Sequence, residues 1–505
     1  MQETAYYRDL VTKLSHIGVE LSAERDVDTL LVMILKESME IANADAGSIY
    51  IIESQELDGL KTSQLAFKYT QNHTVNYPYQ KFSMPIDKNS IAGACAVTGQ
   101  VYNFKSMQET VEKLGFHHNR SYDDAAGYHT LNMLVLPLKN YEEDVIGVLQ
   151  LINKKNHLEP LSDQRAYSGV VPFTREDESI IGALASQAAI LIERTQLYEA
   201  IQDTLESTIK VLVTALDQRD PITAGHSDRV AQYSLDLGRY LQELKGACHP
   251  EYLLSKDELR ELYIAGLLHD VGKIGVPEYL LMKANKLTAA EIDAIESRFK
   301  LIALAIETEK GHFVENPIPD FLESRASLEA LIQKINRSGF LPDDEGQVLS
   351  GIKQSKFQFG DHVIELLRDH EFEQLTIPRG NLTNKERDLI NDHVRMSHSL
   401  LNRVKWSKTL VQVPVIASQH HEKLNGKGYP YGLKDDEIGL RGRLMAIADI
   451  FDALTAKDRP YKPAMPVDRA IGILREEVSR GALDGNLVDY FVAMIEEREG
   501  KNDAL

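Results

Sequence analysis

From Thr174 to about Asp217 the sequence contains no proline and a single glycine, Gly182. Over the same stretch Leu184, Ala188, Leu191, Leu197, Ile201, Leu205, Leu212 and Leu216 recur at steps of three, four or their sums. That spacing keeps the apolar residues near one face of a single long amphipathic helix. Its simplest use is a parallel coiled-coil connection, so a homodimer joined through this helix is expected. The alternative is a helix packed along its own domain.

The two sides of this helix read differently. Before it, apolar positions from Leu10 to Ile41 fall at helical spacing, and GSIYII, QLAFKYT, NMLVLPL and VIGVLQLIN follow as short β-rich runs separated by polar or glycine-bearing turns. Such a mixture predicts an antiparallel sheet with flanking helices. After Pro221 the pattern is mainly helical to the end. A chain of 505 residues is too long for one ordinary core. The expected division is a first domain over 1–195, a connecting helix over 175–217 that overlaps its end, and a second domain over 212–505. The phrases KLTAAEIDAI at Lys286–Ile295 and NLTNKERDLI at Asn381–Ile390 echo each other. Two such copies do not make a repeat architecture; they bracket an intervening segment at about 298–380.

Several function classes are excluded early. No segment approaches the roughly 20 apolar residues needed to span a bilayer, and Leu184–Ile192 is interrupted by Ser186 and Gln187. The opening MQETAYYRDLVTKL lacks a basic segment followed by an apolar run, so a cytoplasmic protein without a membrane partner is expected. A net charge of −20 offers no basic footprint for a nucleic acid polymer. Cys95 and Cys248 lie far apart and outside any CxxC pattern, which argues against a disulfide framework or a thiolate metal site. An anionic substrate must therefore be met locally, by metals or by a few placed Lys and Arg residues.

The second half carries histidines and aspartates in distinctive phrases. These are GHSDRV with His226, LLHDVGKIGVP with His269, Asp270 and Lys273, NDHVRMSH with His393, SQHHEKLNGKGYPYGL with His420 and His421, and AIADIFDAL with Asp449. Imidazole and carboxylate together suit iron, manganese and similar divalent ions. A carboxylate such as Asp270 has two oxygens and can face two ions. Two close ions activate water at neutral pH and stabilise charge on a phosphoryl group, so phosphodiester hydrolysis is the natural expectation. A lone HD pair or a GKGYPYG turn would signify little; all the phrases in this order are specific.

HDVGK, then HHEKLNGKGYPYGL and ADIFDALTAKDRPYK, closely resemble the HD-GYP subgroup of HD phosphohydrolases, from about Leu212 to Val492 apart from the insertion. The resemblance implies an all-α, metal-dependent phosphohydrolase domain that hydrolyses cyclic di-GMP to pGpG and, in some members, on to GMP. It implies two divalent ions, iron or manganese. His226, His269, Asp270 and Asp449 match ligands of one, and His393, His420 and His421 those of its neighbour, with Asp270 as the bridge. Lys273 matches a lysine near the scissile phosphate, Arg459 and Lys462 match residues that hold substrate phosphate, and Gly428, Tyr429 and Pro430 form the namesake loop beside the substrate. Hydrolysis of another cyclic dinucleotide such as cyclic GMP-AMP, or cyclic di-GMP reception without turnover, are the competing readings.

Three departures stand out. Asn425 replaces the usual aspartate, which predicts a weakened contact behind the ligands. Ile222 stands one helical turn before His226, where some relatives carry a ligating glutamate, so two metals are expected rather than three. The LTxxE phrase in register with His393 is the one at Leu382, so the copy at Leu287 opens the inserted segment. His312, His362, His370 and His398 match none of the metal phrases and are read as non-ligands.

The first half, through FSMPIDKNSIAGACAVTGQVYNF, NMLVLPLKNYEEDVIGVLQLINK and PFTREDESIIGALASQAAILIE, resembles a GAF domain, an α+β sensor fold. Asn153, Lys154, Phe173, Asp177 and Glu178 match the NK…FxxxDE pattern of GAF domains that bind cyclic nucleotides. A small ligand there, a cyclic nucleotide in one reading, is expected. Physically, Lys154 and Asp177 can pair and lock the sheet end to the last helix without touching any ligand.

Overall fold

A computed structural model of the chain describes residues 2–24, 26–57, 60–75, 82–107, 127–161, 169–218, 225–244, 250–456 and 464–502. Its contacts divide it into two compact units, Met1–Thr204 and Leu205–Leu505.

The first unit is an antiparallel sheet between two apolar layers. Strands β1 (Ala44–Leu57), β2 (Leu60–Asn72), β3 (Ser83–Pro85), β4 (Tyr102–Phe104), β5 (Met133–Lys139) and β6 (Val145–Lys154) are ordered β3-β2-β1-β6-β5-β4. The four β-rich phrases of the sequence lie in β1, β2, β5 and β6; the short edge strands β3 and β4 carried no such signal. Alternation along β5 explains the layers. Leu134, Leu136 and Leu138 pack with the helix Val27–Ala42 and with Ile181, Leu184, Ala188 and Ile192 of the long helix, while Met133 and Val135 face the helix Ile91–Thr98. The apolar pattern from Leu10 to Ile41 is divided into two helices, Gln2–Ala23 and Val27–Ala42, because the Asp26 side chain caps the second by accepting from the Thr29 N–H at 2.8 Å.

The long helix runs without a break from Arg175 to Asp217. Within the second unit, Ile209 and Val213 join a core built from the helices His226–Glu243, Lys256–Leu268, Leu440–Thr455, Val467–Ser479 and Gly485–Asn502. Two of these helices approach closely at Gly266, where a Cβ would lie 2.7 Å from the Ala231 Cα. No helix among the described residues is long and apolar enough to cross a membrane.

The inserted segment has a core of its own, from Leu287 to Leu375, including Phe299, Ile302, Ile335, Leu349 and Phe357. It holds the helices Ala289–Glu307, Phe321–Arg337, Asp343–Gln354 and Asp369–Leu375. It also holds a small antiparallel sheet of β7 (Gly311–Glu315), β8 (Lys356–Phe359) and β9 (His362–Glu365), which the mainly helical reading of this half did not contain. The echoed phrases are two copies of one capping device. Thr288 and Glu291 form a capping box, as do Thr383 and Glu386. The first opens a helix of 19 residues, the second one of 8 residues that leads to His393.

Two cations fasten this body. Lys286 is fully buried and donates to the carbonyls of Leu375 and Ile377 at 3.0 and 2.8 Å. Arg298 grips the buried Glu371 with both nitrogens, at 2.9 and 2.8 Å. Removing one member of a buried pair costs about 3–5 kcal/mol because the other charge stays buried. In Glu371→Ala, amide hydrogen exchange should therefore accelerate across 287–375 and stay unchanged in Met1–Thr204; unchanged exchange across 287–375 would show that the pair does not hold the segment together.

Candidate metal centre

Separate elements of the second unit bring their histidines and aspartates to one place. His226 opens the helix His226–Glu243, and His269 ends the helix Lys256–Leu268. Asp270 and Lys273 lie in the 3₁₀ turn that follows. His393 opens the helix His393–Leu401, His420 and His421 follow the helix Val413–Ala417, and Asp449 lies within the helix Leu440–Thr455. The 3₁₀ turn sits against the His393 helix because Gly272 has no side chain: a Cβ there would strike the His393 carbonyl and Ser397, whose Oγ accepts the Gly272 N–H at 2.8 Å.

Two groups result, His226 with His269 and Asp270, and His393 with His420 and His421; within each, the donor atoms lie within 4.8 Å of one another. Asp270 stands between them. Its Oδ1 is 3.1 Å from His393 Nε2, while its Oδ2 is 3.3 Å from His269 Nε2 and 2.7 Å from the Lys273 ammonium. Asp449 also faces both groups, with Oδ1 at 3.1 Å from His226 Nε2 and Oδ2 at 3.5 Å from His421 Nδ1.

The hydrogen bonds fix which nitrogen is available. The Nδ1 atoms of His269, His393 and His420 lie 2.7, 2.6 and 2.6 Å from the carbonyls of Gly266, Ile390 and Ala417. A carbonyl only accepts, so each Nδ1 carries a proton and Nε2 is the nitrogen that can offer a lone pair to a cation. Those three Nε2 atoms are buried without a hydrogen-bond partner. Buried nitrogens stripped of partners and aimed at shared carboxylates are what a divalent cation satisfies, so the residues present fit metal ions.

The electrostatics agree. Burial opposes charge on both carboxyls, yet Lys273, His269 and His393 outweigh it at Asp270, and His226, His421 and His420 outweigh it at Asp449, so both lie far below the usual carboxylate range. Burial lowers His420 well below the usual imidazole value and His421 to about 4. His226 goes the other way: burial opposes its charge, but hydrogen bonds to Asp449 and Asp452 raise it to about 9.

Three supporting residues escaped the sequence reading. Asp452 takes His226 Nδ1 at 2.7 Å and is itself held by Arg229, with Nε at 2.6 Å and Nη2 at 3.1 Å. The signal was present, since Arg229 and Asp452 each stand three residues beyond a candidate ligand, His226 and Asp449. The third is Glu422, buried beside the histidine pair, whose carboxylate accepts the N–H groups of Tyr431 at 2.7 Å, Gly432 at 3.2 Å and Leu433 at 2.9 Å. It shapes the loop of Gly428, Tyr429 and Pro430. There the Tyr429 ring lies 4.7 Å from that of His421, and the Pro430 carbonyl accepts from Arg395 at 2.9 Å. Gly428 has no room for a Cβ against the Glu422 and Lys423 backbone.

Asn425 faces away from the metal groups. Its amide donates to the Arg480 carbonyl at 3.0 Å and accepts the Lys427 N–H at 3.0 Å. An aspartate could not donate the first bond, so here the amide supports the loop. His398 meets the Tyr431 hydroxyl at 2.6 Å and His370 lies near Glu291, while His312 and His362 lie on β7 and β9; none joins either metal group. Arg459, Lys462, Ile222 and Cys248 lie outside the described residues.

In the first unit, Lys154 pairs with Asp177, which also accepts the Thr174 N–H at 2.7 Å; Phe173 is buried beneath, and Glu178 accepts from Asn103 at 2.7 Å. Asn153 is fully buried, accepts the Leu131 N–H at 2.8 Å and donates to the His129 carbonyl at 2.8 Å. These residues fasten the end of β6 to the start of the long helix.

Family models agree with this division. The GAF domain model matches residues 26–192, and two HD domain models match residues 223–335 and 370–487. The chain joins a GAF domain to an HD domain. The interval between the two HD matches falls inside the inserted body. Among curated relatives, the 3'3'-cGAMP-specific phosphodiesterase 3 of Vibrio cholerae is 26% identical over 294 residues, covering 58% of this chain and 40% of that protein. A cyclic di-GMP phosphodiesterase of the same organism is 26% identical over 327 residues, covering 64% and 46%. The cyclic di-GMP phosphodiesterase of Thermotoga maritima is 29% identical over 160 residues, covering 32% and 42%. The chain thus spans less than half the length of each of these relatives.

A histidine binds a metal only as neutral imidazole, and His226 of the metal-free HD domain keeps its proton up to about pH 9. Filling its group with Mn²⁺ at about pH 7.5 should release about one proton, and affinity there should rise about tenfold per pH unit until pH 9. Calorimetry in buffers of different ionisation enthalpy reads the proton directly; binding without proton release would exclude protonated His226 as a ligand.

Proposed function

We propose that this chain is a metal-dependent phosphodiesterase that hydrolyses cyclic di-GMP to pGpG, the step that in some relatives continues to GMP, under control of its GAF domain. The observation that carries this reading is the Asp270 carboxylate, set between two groups of histidines and touched by the Lys273 ammonium. Imidazole and carboxylate donors without thiolate suit iron or manganese, one ion in each group. When bound, such ions supply Lewis-acid charge to a phosphoryl group and activate water.

The chain's own residues do the rest. Asp270 and Asp449 place negative charge between the groups, where it would hold a cation in each. Lys273, 2.7 Å from Asp270, holds an ammonium where charge develops as water adds to phosphorus and the P–O3′ bond breaks. The 3′-oxygen leaves with a proton. The loop of Gly428, Tyr429 and Pro430 walls the His421 side, and Arg459 and Lys462 serve the substrate phosphates. The same reading places the protein in the cytoplasm, where it meets a soluble nucleotide signal, and gives the GAF domain a small ligand of its own, a cyclic nucleotide.

The relatives named for 3'3'-cGAMP favour a second substrate, because metal ligands do not choose bases. Anaerobically purified protein should contain two metals and turn over cyclic di-GMP, with cyclic GMP-AMP compared by kcat/KM; Asp270→Ala should fall to background. A higher kcat/KM for cyclic GMP-AMP would reassign the substrate. Metal-loaded protein that binds cyclic di-GMP without turning it over would leave a receptor.

The long helix is proposed to pair in parallel with that of a second copy. Leu197, Ile201 and Leu212 are 56%, 65% and 56% exposed, an unusual state for apolar residues at helical spacing. Light scattering should find a dimer for the wild type and a monomer for the double variant Leu197→Glu, Ile201→Glu; equal masses would rule this pairing out.

A further inference from the structure

We propose that Asp217, the last residue of the long helix, is a positioning residue for His226 and thereby sets the affinity of the metal position that His226 serves; this rests on the metal-centre reading above. A helix N-terminus leaves backbone N–H groups without partners, and several helices here meet the need locally. Ser255, Thr288 and Thr383 each accept from a residue three positions on. The helix of His226 has no such cap: the residue before it is Gly225, and no side chain caps the helix from that position.

The acceptor comes instead from eight residues upstream. The Gly225 N–H donates to Asp217 Oδ2 at 3.0 Å. Gly225 has a φ of +68°, a conformation that favours glycine, and a Cβ on it would lie 3.1 Å from Arg229 Nη1. Arg229 in turn grips Asp452, and Asp452 takes His226 Nδ1. His226 is thus held at its ring by Asp452, which Arg229 grips, and through the backbone of Gly225 by Asp217.

The end of the long helix also borders the site. Val213, Leu216 and Asp217 line a small cavity together with Ser227, Asp270 and Lys273. A rotation or axial shift of the last helical turn carries the Asp217 carboxylate with it, and Gly225 and the His226 Nε2 follow. Metal–ligand distances tolerate only about 0.2 Å, so a small displacement there changes affinity. His393, His420 and His421 stand on other elements that this path does not reach. The first metal position therefore answers to the helix, and the second does not.

The test is Mn²⁺ titration of the full chain as wild type, Asp217→Ala and Asp217→Asn, with the Mn²⁺ spin-resonance signal recorded at each step. Asparagine keeps an acceptor oxygen for Gly225; alanine keeps none. In Asp217→Ala one of two Mn²⁺ positions should weaken about 10–100-fold while the other is unchanged. Asp217→Asn should restore binding close to wild type. Two unchanged positions in Asp217→Ala overturn the proposal. Equal loss of both positions in the two variants overturns it as well, because Asp217 would then be a general prop of the fold. Wild-type protein that takes up no Mn²⁺ refutes the metal-centre reading itself, a result visible before any variant is made.

Discussion

Burying imidazoles and carboxylates together is tolerable only when each polar atom has a partner, and that constraint organises the second unit. The backbone supplies half of the answer: carbonyls of Gly266, Ile390 and Ala417 each take one ring nitrogen of the histidine three residues on. The other ring nitrogen is left for a cation. His226 is held by Asp452 instead, which gives it a carboxylate neighbour and a raised pKa. The asymmetry has a chemical consequence. One group contains a histidine whose carboxylate neighbours favour its proton, the other contains His420 and His421, whose charge burial opposes.

Such a centre needs helices that approach closely and do not shift. Glycines provide the approach. Gly266 lets the helices carrying His226 and His269 touch, Gly272 seats the Asp270 turn on the His393 helix, and Gly428 lets the loop lie against the backbone beside His421. Charged residues provide the fixity. Arg229 with Asp452 locks the first histidine and Glu422 locks the loop by accepting its backbone N–H groups, so the groups that bind are kept apart from the groups that hold them in place. The inserted body obeys the same rule with a separate core and its own buried pair, Arg298 with Glu371.

Much of this was legible before any coordinates. The β-rich phrases became β1, β2, β5 and β6 because alternating apolar residues can bury both faces of a sheet. The proline-free run became one helix of 43 residues. The LTxxE echo was visible as wording, but its cause is the reciprocal side-chain and backbone bonding of a capping box. The small sheet of β7, β8 and β9 escaped notice because its strands are four or five residues long, too short for alternation to register. The partners of Asn425 were not legible either: a residue's type does not tell which way it points, and here its amide donates to the Arg480 carbonyl.

The sequence by itself determined the two-part organisation, the long helix and the set of candidate donor residues, because each of these depends on local pattern or on side-chain chemistry. Only the tertiary structure decided the rest. It divided the candidate donors into two groups, set Asp270 and Asp449 facing both, turned the Nε2 atoms of His269, His393 and His420 away from their backbone partners and tied Asp217 to Gly225. Those are relations between residues as far apart as His226 and Asp452, and their distances exist only once the helices that carry them have packed.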